Sequence, residues 1–268
     1  MIAFAFSDLT VACANSENSS RACLRETKSV WGAVAPSRLV SKSVRARSDS
    51  ARDGSMRASA VAAGFVVVRD GPLWLAFRCG PPAPAFLPAH AHADALSFQL
   101  WWHGSPVLVD AGTFTYEAGS DRDWFRSTRA HSTIRVDGRD QFRLWAAFRS
   151  GRLPKVSLRY ARERAVEASV VLPGRIRHVR RIEWDPEAGE VFVHDRLEGK
   201  GRHRVESRLL WAPQPTDVEV ELLGGGELST EKAWVSERFG ERVPTTASLA
   251  RSELELPASI GFRLRCLQ

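Results

Sequence analysis

Three imidazoles and two carboxylates fall within about forty residues of this chain. His90-Ala91-His92-Ala93-Asp94 supplies two histidines and one acid. Asp110 follows in Val107-Leu-Val-Asp-Ala-Gly-Thr113, and His131 in Arg126-Ser-Thr-Arg-Ala-His-Ser-Thr133. Imidazole nitrogen and carboxylate oxygen are ligands that zinc accepts when one position stays open. They are also the usual proton carriers near neutral pH. The stretch can hold a metal, move a proton, or do both. On a strand, residues i and i+2 share a face, so His90 and His92 point the same way with Asp94 below them. The bland alternative is a pair of half-exposed strand histidines. Asp110 is flanked by apolar residues and needs a partner, because burying an unpaired charge is costly. The alternative there is a turn cap.

The elements that must position these groups read as strands. Phe65–Arg69 and Leu73–Phe77 flank the turn at Asp70-Gly71. Gly80–Pro84 is an irregular loop. Leu96–Trp102 and Val107–Asp110 form a hairpin around His103-Gly104-Ser105, and Ser132–Val136 runs into the hairpin turn Asp137-Gly138. Beyond Leu153 strand follows strand: Val156–Tyr160, Ala165–Val171, Val179–Trp184, Val191–His194 and Val205–Trp211, with turns at Asp185-Pro186 and Glu198-Gly199 and a loop at Gly224–Gly226. Short strands without intervening amphipathic helices predict an all-β, antiparallel β-sandwich over 61–268. Residues 1–60, rich in Ser, Arg and Ala, read as a disordered or weakly helical arm. One conflict stands out. A tight hairpin about Gly104 sets Asp110 opposite Ser97 or Phe98, not His92. The ligands meet only if the chain bends near Asp94 or the sheet curves.

Composition narrows the function class. The net charge of +7 comes mainly from Arg. It suits polyanionic partners, or reflects Arg-favouring codons with arginines on solvent faces of strands. No basic cluster with interleaved aromatics marks a nucleic-acid module. Cys13, Cys23, Cys79 and Cys266 lack Cys-x-x-Cys spacing, so a cysteine zinc site is not expected. No apolar run reaches membrane-spanning length. Met1–Ser7 is apolar but lacks a basic n-region, a poor signal peptide. Nine Trp and thirteen Phe against two Tyr fit packed β-structure and a sugar-stacking surface.

Four segments together carry a resemblance. His90-Ala-His-Ala-Asp-Ala-Leu-Ser-Phe98, Val107–Thr113 with Tyr116, Trp124–His131 and Val136-Asp-Gly-Arg-Asp-Gln141 occur in this order. The chain from Gly64 to Trp211 resembles the heparinase II/III family of polysaccharide lyases. The resemblance implies a supersandwich-like C-terminal β-sandwich, with His90 at the active site and His92, Asp110 and His131 binding zinc. Three positions depart from the family pattern: Ala89 stands for Gly, Ala111 for Pro, and Ser132 for the Asn after the last histidine. The last departure is expected to alter the hydrogen bonding that orients His131.

The resemblance also implies β-elimination across a uronic acid unit of an acidic polysaccharide, acting in the cell envelope or periplasm. Arg126 and Arg129 are candidates to hold carboxylate or sulfate, since the guanidinium fork fits both. Their bland reading is a surface residue or a bridge to Asp121 or Asp123. Family members pair the sandwich with an N-terminal α/α toroid that supplies a tyrosine acid/base, and no segment here reads as that toroid. The chain is therefore expected to be a detached or truncated C-terminal half with little activity alone. Its motif face is expected to be open and partly apolar, lined by Trp101, Trp102 or Trp124. Two rival readings are a non-catalytic carbohydrate-binding or structural sandwich and a cupin-like metal oxygenase. The latter lacks the Glu expected a few residues after its His-x-His.

Overall fold

The computed structural model describes residues 58–62, 64–84 and 86–267. The arm expected over 1–60 lies outside the described residues except for Ala58–Ala60, which open the first strand. The elements are β1 (Ala58–Ala62), β2 (Phe65–Asp70), β3 (Leu73–Arg78), β4 (Phe98–Trp102), β5 (Ser105–Leu108), helix α1 (Ser120–Arg126), β6 (Ile134–Val136), β7 (Leu144–Trp145), β8 (Arg149–Ser150), β9 (Val156–Arg162), β10 (Ala165–Leu172), β11 (Ile176–Asp185), β12 (Glu190–Leu210), β13 (Val218–Leu223), β14 (Glu227–Val235) and β15 (Val243–Cys266). One sheet runs β1-β2-β3-β4-β5. The other runs β13-β15-β12-β11-β10-β9, with β14 on β15 and β6 on β12. Every strand pairing in both sheets is antiparallel.

Period-two burial explains why these segments are strands. Val66, Val68, Leu73, Leu75 and Phe77 face inward from the smaller sheet. They meet Val166, Val170, Ile182, Val193 and Phe262 of the larger one in a single core. Truncating one such side chain to Ala typically costs about 2–5 kcal/mol. Buried Asp70 accepts from Trp184 Nε1 at 3.1 Å, so a polar contact also ties the sheets. The basic charge sits mostly outside: Arg263 and Arg265 reach Glu190, Glu219 and Glu221 along exposed strand faces. Such exposed pairs contribute little each.

Three sequence expectations change. The two strands expected at Val191–His194 and Val205–Trp211 are one strand, β12, and Glu198-Gly199 is not a turn but lies at a register shift between Leu197 and Gly201. Asp137-Gly138 does turn, with both φ values positive at 51° and 66°. It closes a single bridge, Val136 to Arg139, rather than a hairpin. β6 pairs with β12 instead, because the chain beyond Arg139 is drawn inward by side-chain contacts described below. A short helix, α1, also interrupts the strands. Asp121 and Asp123 in its first turn and Arg126 in its last match the helix dipole.

A buried ionic bracket joins the larger sheet to the loops that bear the histidines. Arg180 of β11 donates Nε and Nη2 to Asp195 of β12, both at 2.7 Å. Ser207 Oγ and His178 Nε2 complete the carboxylate's shell at 3.0 and 2.7 Å. The remaining donor, Arg180 Nη1, reaches Leu96 O at 2.9 Å and Ser132 O at 2.5 Å. Arg180 and Asp195 are both solvent-inaccessible, so the pair depends on the donors that surround the carboxylate.

Candidate metal and proton-transfer site

The His-x-His segment is not a strand. Pro88–His90 makes a single 3-10 turn, whose formation suits the proline at its start, and the chain from Ala91 to Ser97 is irregular. The same-face expectation for His90 and His92 therefore fails. His90 is exposed on the turn, while His92, two residues on, is half-buried. Leu96 adopts a left-handed φ of 60° and reverses the chain into β4. This bend near Asp94 resolves the conflict posed by the hairpin register.

Asp110 lies two residues beyond β5, and Gly112 fixes its carboxylate. Gly112 N donates to Asp110 Oδ1 at 2.9 Å. Its φ is +74°, and a Cβ there would stand 2.1 Å from Ser236 O. Only glycine meets both demands. His131 lies at the end of the 3-10 turn Thr128–Ala130, fully buried. Its Nδ1 is 2.8 Å from Asp110 Oδ2. The His92 and His131 ring centroids are 5.4 Å apart, and Thr113 Oγ1 is 3.5 Å from His92 Nε2. His92, Asp110 and His131 thus converge.

The electrostatics follow from this closeness. Burial by itself would lower the His131 pKa, but the Asp110 charge and hydrogen bond outweigh it and raise it. Burial pushes Asp110 up, yet His131 and the Gly112 N–H bring it below the ordinary carboxylate range. His92 is lowered well below the usual imidazole value by burial first and then by His131. A neutral His92 is the form that ligates a metal.

The donor set has the ligand chemistry of a divalent zinc-type ion. Two ligands on a tetrahedral ion stand about 3.3 Å apart, given bonds near 2.0–2.1 Å. The Asp110–His131 separation is somewhat shorter, and among the described residues no three His, Cys, Asp or Glu side chains stand in a ready coordination cluster. His131 Nε2 is buried without a hydrogen-bond partner. Asp94 is not one of the set, since its Oδ1 pairs with Arg78 Nε at 2.9 Å. Ser132 does not touch the His131 ring. Its Oγ accepts from Leu210 N at 2.9 Å, so the departure from Asn serves β12.

His90 stands apart from the three, in an aromatic cluster. Tyr116 and Phe148 approach its ring at 5.3 and 5.7 Å, and Phe239 lies 5.0 Å from Tyr116. Burial and the charges of Arg122 and Arg126 lower the His90 pKa. None of Trp101, Trp102 and Trp124 has a ring contact with His90. Trp101 meets Trp74 edge-on, Trp102 is buried beside His103, and Trp124 packs on Phe125. Exposed apolar side chains near His90 include Phe148 and Phe239 in its aromatic cluster and Phe86 and Leu87 just before its turn.

The two arginines expected to hold substrate part company. Arg126 is fully buried, and its guanidinium donates to the carbonyls of Ala91, Ala146, Ala147 and Arg149. With its donors spent on backbone, it is a clamp on the β7–β8 hairpin and the His-x-His turn, not a substrate group. Arg129 is exposed, 3.6 Å from Glu231. Sequence reading missed Arg122, one helical turn before Arg126. It donates to Ala147 O at 3.0 Å and lies under the Tyr116 and Phe148 rings. Burial and Arg126 bring its pKa down to about 10. The i, i+4 spacing of the two arginines was the available signal, but it needed the helix to be recognised.

Comparison with known proteins places this geometry in context. Residues 52–263 match the family model described as heparinase II/III-like, C-terminal. A heparin-sulfate lyase of Pedobacter heparinus is 32% identical over 88 residues, covering 29% of this chain and 12% of that protein. Among solved structures, a mutant heparan sulfate lyase from Pedobacter heparinus superposes with a TM-score of 0.62 at 17% identity, covering 78% of this chain and 36% of that one. A heparinase III structure gives 0.61 at 13% identity, with coverage of 79% and 36%. The chain thus spans about a third of these structures, and at such identities the likeness establishes the fold.

Proposed function

This chain belongs to the heparinase II/III-like, C-terminal family, and from that premise we propose that it is the β-sandwich part of a polysaccharide lyase acting on uronic-acid-containing polysaccharide. The carrying observation is the approach of His92, Asp110 and His131 to one another, together with an exposed, aromatic-flanked His90 two residues before His92 in the chain. In the proposed elimination, the C5–H bond of the uronate breaks and its proton passes to a base. The electron pair forms the C4–C5 double bond as the glycosidic C4–O bond breaks, and the leaving oxygen takes a proton. His90, with its pKa lowered, is neutral near pH 7 and able to accept the C5 proton. Tyr116 and Phe148 supply apolar edges against which a sugar ring can pack. His92, Asp110 and His131 would hold the zinc ion that this reading requires, and a bound divalent ion would supply fixed positive charge there.

Arg126 is removed from the substrate role by its buried clamp, and exposed Arg129 is kept in it. Neutralisation of the uronate carboxylate then rests on few groups here. Misplacement or loss of one partner by about an ångström can cost on the order of a hundredfold. We therefore expect this chain alone to bind acidic oligosaccharide with little turnover. The substrate class suggests action in the cell envelope. The decisive experiment titrates heparan sulfate and a neutral glucan by calorimetry and follows the unsaturated product by its ultraviolet absorbance. Binding of the acidic polymer, weakened in His90→Ala, is expected. No discrimination between the polymers would defeat the reading, and robust turnover would defeat the claim of incompleteness. A non-catalytic carbohydrate-binding sandwich is the second reading, favoured by the openness of the His90 face. It predicts that His90→Ala binds as well as the parent.

A further inference from the structure

We propose that Gln141 is the positioning residue that fixes the separation of the two ligand-bearing loops. This inference rests on the reading of His92, Asp110 and His131 as metal ligands. The backbone from Ala91 to Ser97 belongs to no sheet, so its buried polar groups need other partners. Gln141 supplies them for Ala95, three residues beyond His92. Ala95 N donates to Gln141 Oε1 at 2.8 Å, and Gln141 Nε2 donates to Ala95 O at 2.8 Å. The carboxamide stands in for a neighbouring strand, matching both backbone polar groups of one residue.

The same Nε2 reaches Thr133 Oγ1, two residues beyond His131, at 3.3 Å. Thr133 Oγ1 in turn donates to Ala95 O at 2.8 Å. One side chain therefore touches both loops at once. Its own backbone is anchored, since Gln141 N donates to Thr128 Oγ1 at 3.1 Å while Asp140 Oδ1 accepts from Thr128 N at 2.9 Å. Gln141 is buried throughout.

Glutamine alone fits this place. It offers one acceptor and two donors on a plane. Ionised Glu has no donor for Ala95 O, Leu has neither function, and Asn is one methylene short. These contacts are also why Asp137-Gly138 does not lead into a hairpin: the chain after the turn is held against the loops instead.

The test compares the parent with Gln141→Leu and Thr133→Val, the latter a milder change that keeps shape. Amide hydrogen exchange is measured at Ala93, Ala95 and Leu96 in metal-free protein, with the β10–β12 amides as reference. Zinc affinity is measured separately against a chromophoric chelator. Gln141→Leu should speed exchange in the loop at least tenfold, leave the reference amides within about twofold, and weaken zinc on the order of 10–100-fold. Thr133→Val should move both readouts the same way by less. Unchanged loop exchange in Gln141→Leu overturns the proposal. If that variant does not fold, unchanged exchange at Ala95 in Thr133→Val does so. Should the parent bind no zinc, the metal reading fails, while the exchange result still decides the role of Gln141.

Discussion

Asp110 Oδ2 and His131 Nδ1 lie 2.8 Å apart with the imidazole wholly buried and the carboxylate about one-third exposed. Each group moves the other's pKa toward its charged form. The pair is the rigid half of the candidate site, because Gly112 holds the acid and the 3-10 turn before His131 holds the base. Asp110→Asn should lower stability of metal-free protein by roughly 1.5–3 kcal/mol, toward the lower end because the acid is partly solvated. Urea unfolding in chelator measures it, and an unchanged midpoint would show that the contact contributes nothing.

Zinc should bind the parent near one equivalent, and His92→Ala should bring the stoichiometry close to zero. A ligand that binds only the folded state at about 100 times its Kd adds roughly 2.7 kcal/mol. Zinc should therefore raise the melting temperature of the parent and not of the variant. Equal thermal shifts in both would remove His92 from the ligand set.

Gly112→Ala should be more destabilising than Gly71→Ala. Both glycines have positive φ, 74° and 57°, which costs an L-residue about 1–2 kcal/mol. Gly71 has nothing within 4 Å of a built Cβ, whereas Gly112 meets Ser236 O. Thermal melts of the two variants separate strain from collision, and equal losses would contradict the close approach.

The two candidate arginines should behave oppositely. Arg126→Met leaves four carbonyls without their donor and should cost about 3 kcal/mol or more, as removing buried charged partners does. Arg129→Ala should stay within about 0.5 kcal/mol, as exposed pairs do. If Arg129 meets acidic polymer, its variant should instead show weaker, less salt-sensitive binding. Denaturation and binding isotherms at two salt concentrations report both effects.

Acid sensitivity should begin with the buried histidines His178 and His92. Burial, its largest cause, lowers the His178 pKa, and Arg180 and His178 bring Asp195 below the ordinary carboxylate range despite burial. A depressed folded pKa gives stability that is full above the unfolded value and lost as pH falls toward the folded one. As pH falls below about 6.5, His178 and His92 should both contribute to a decline, with a further one below about pH 4 through Asp195, while the raised His131 contributes stability that is lost as pH rises through its folded pKa. His178→Gln should make the first decline shallower and leave the share carried by His92. An unchanged slope below about pH 6.5 in that variant would assign the limb to other groups.

Much of the fold was legible because strand alternation is a local property. The pairs Phe65–Arg69 with Leu73–Phe77, and the later strands from Val156 to Trp184, needed only period two and turn residues. The β12 strand was misread as two because Glu198-Gly199 has turn chemistry, yet pairing with β15 on both sides of the bulge carries the strand through. Arg126 was misread for a related reason. Its charge suggested solvent or substrate, but four carbonyls from segments up to 35 residues away capture it.

The sequence by itself determined the donor chemistry: two histidines and one aspartate that can share an ion, a third histidine beside them, and sheets to carry them. Only the tertiary structure decided which histidine stands with which acid. Leu96 reverses the chain through a left-handed backbone, Arg180 reaches Leu96 and Ser132 from the core, and Gln141 bridges Ala95 to Thr133. These are side chain-to-backbone contacts between distant parts of the chain. They leave no periodic trace in a sequence, because hydrogen bonding to a peptide group depends on where the backbone passes and not on which residue it carries.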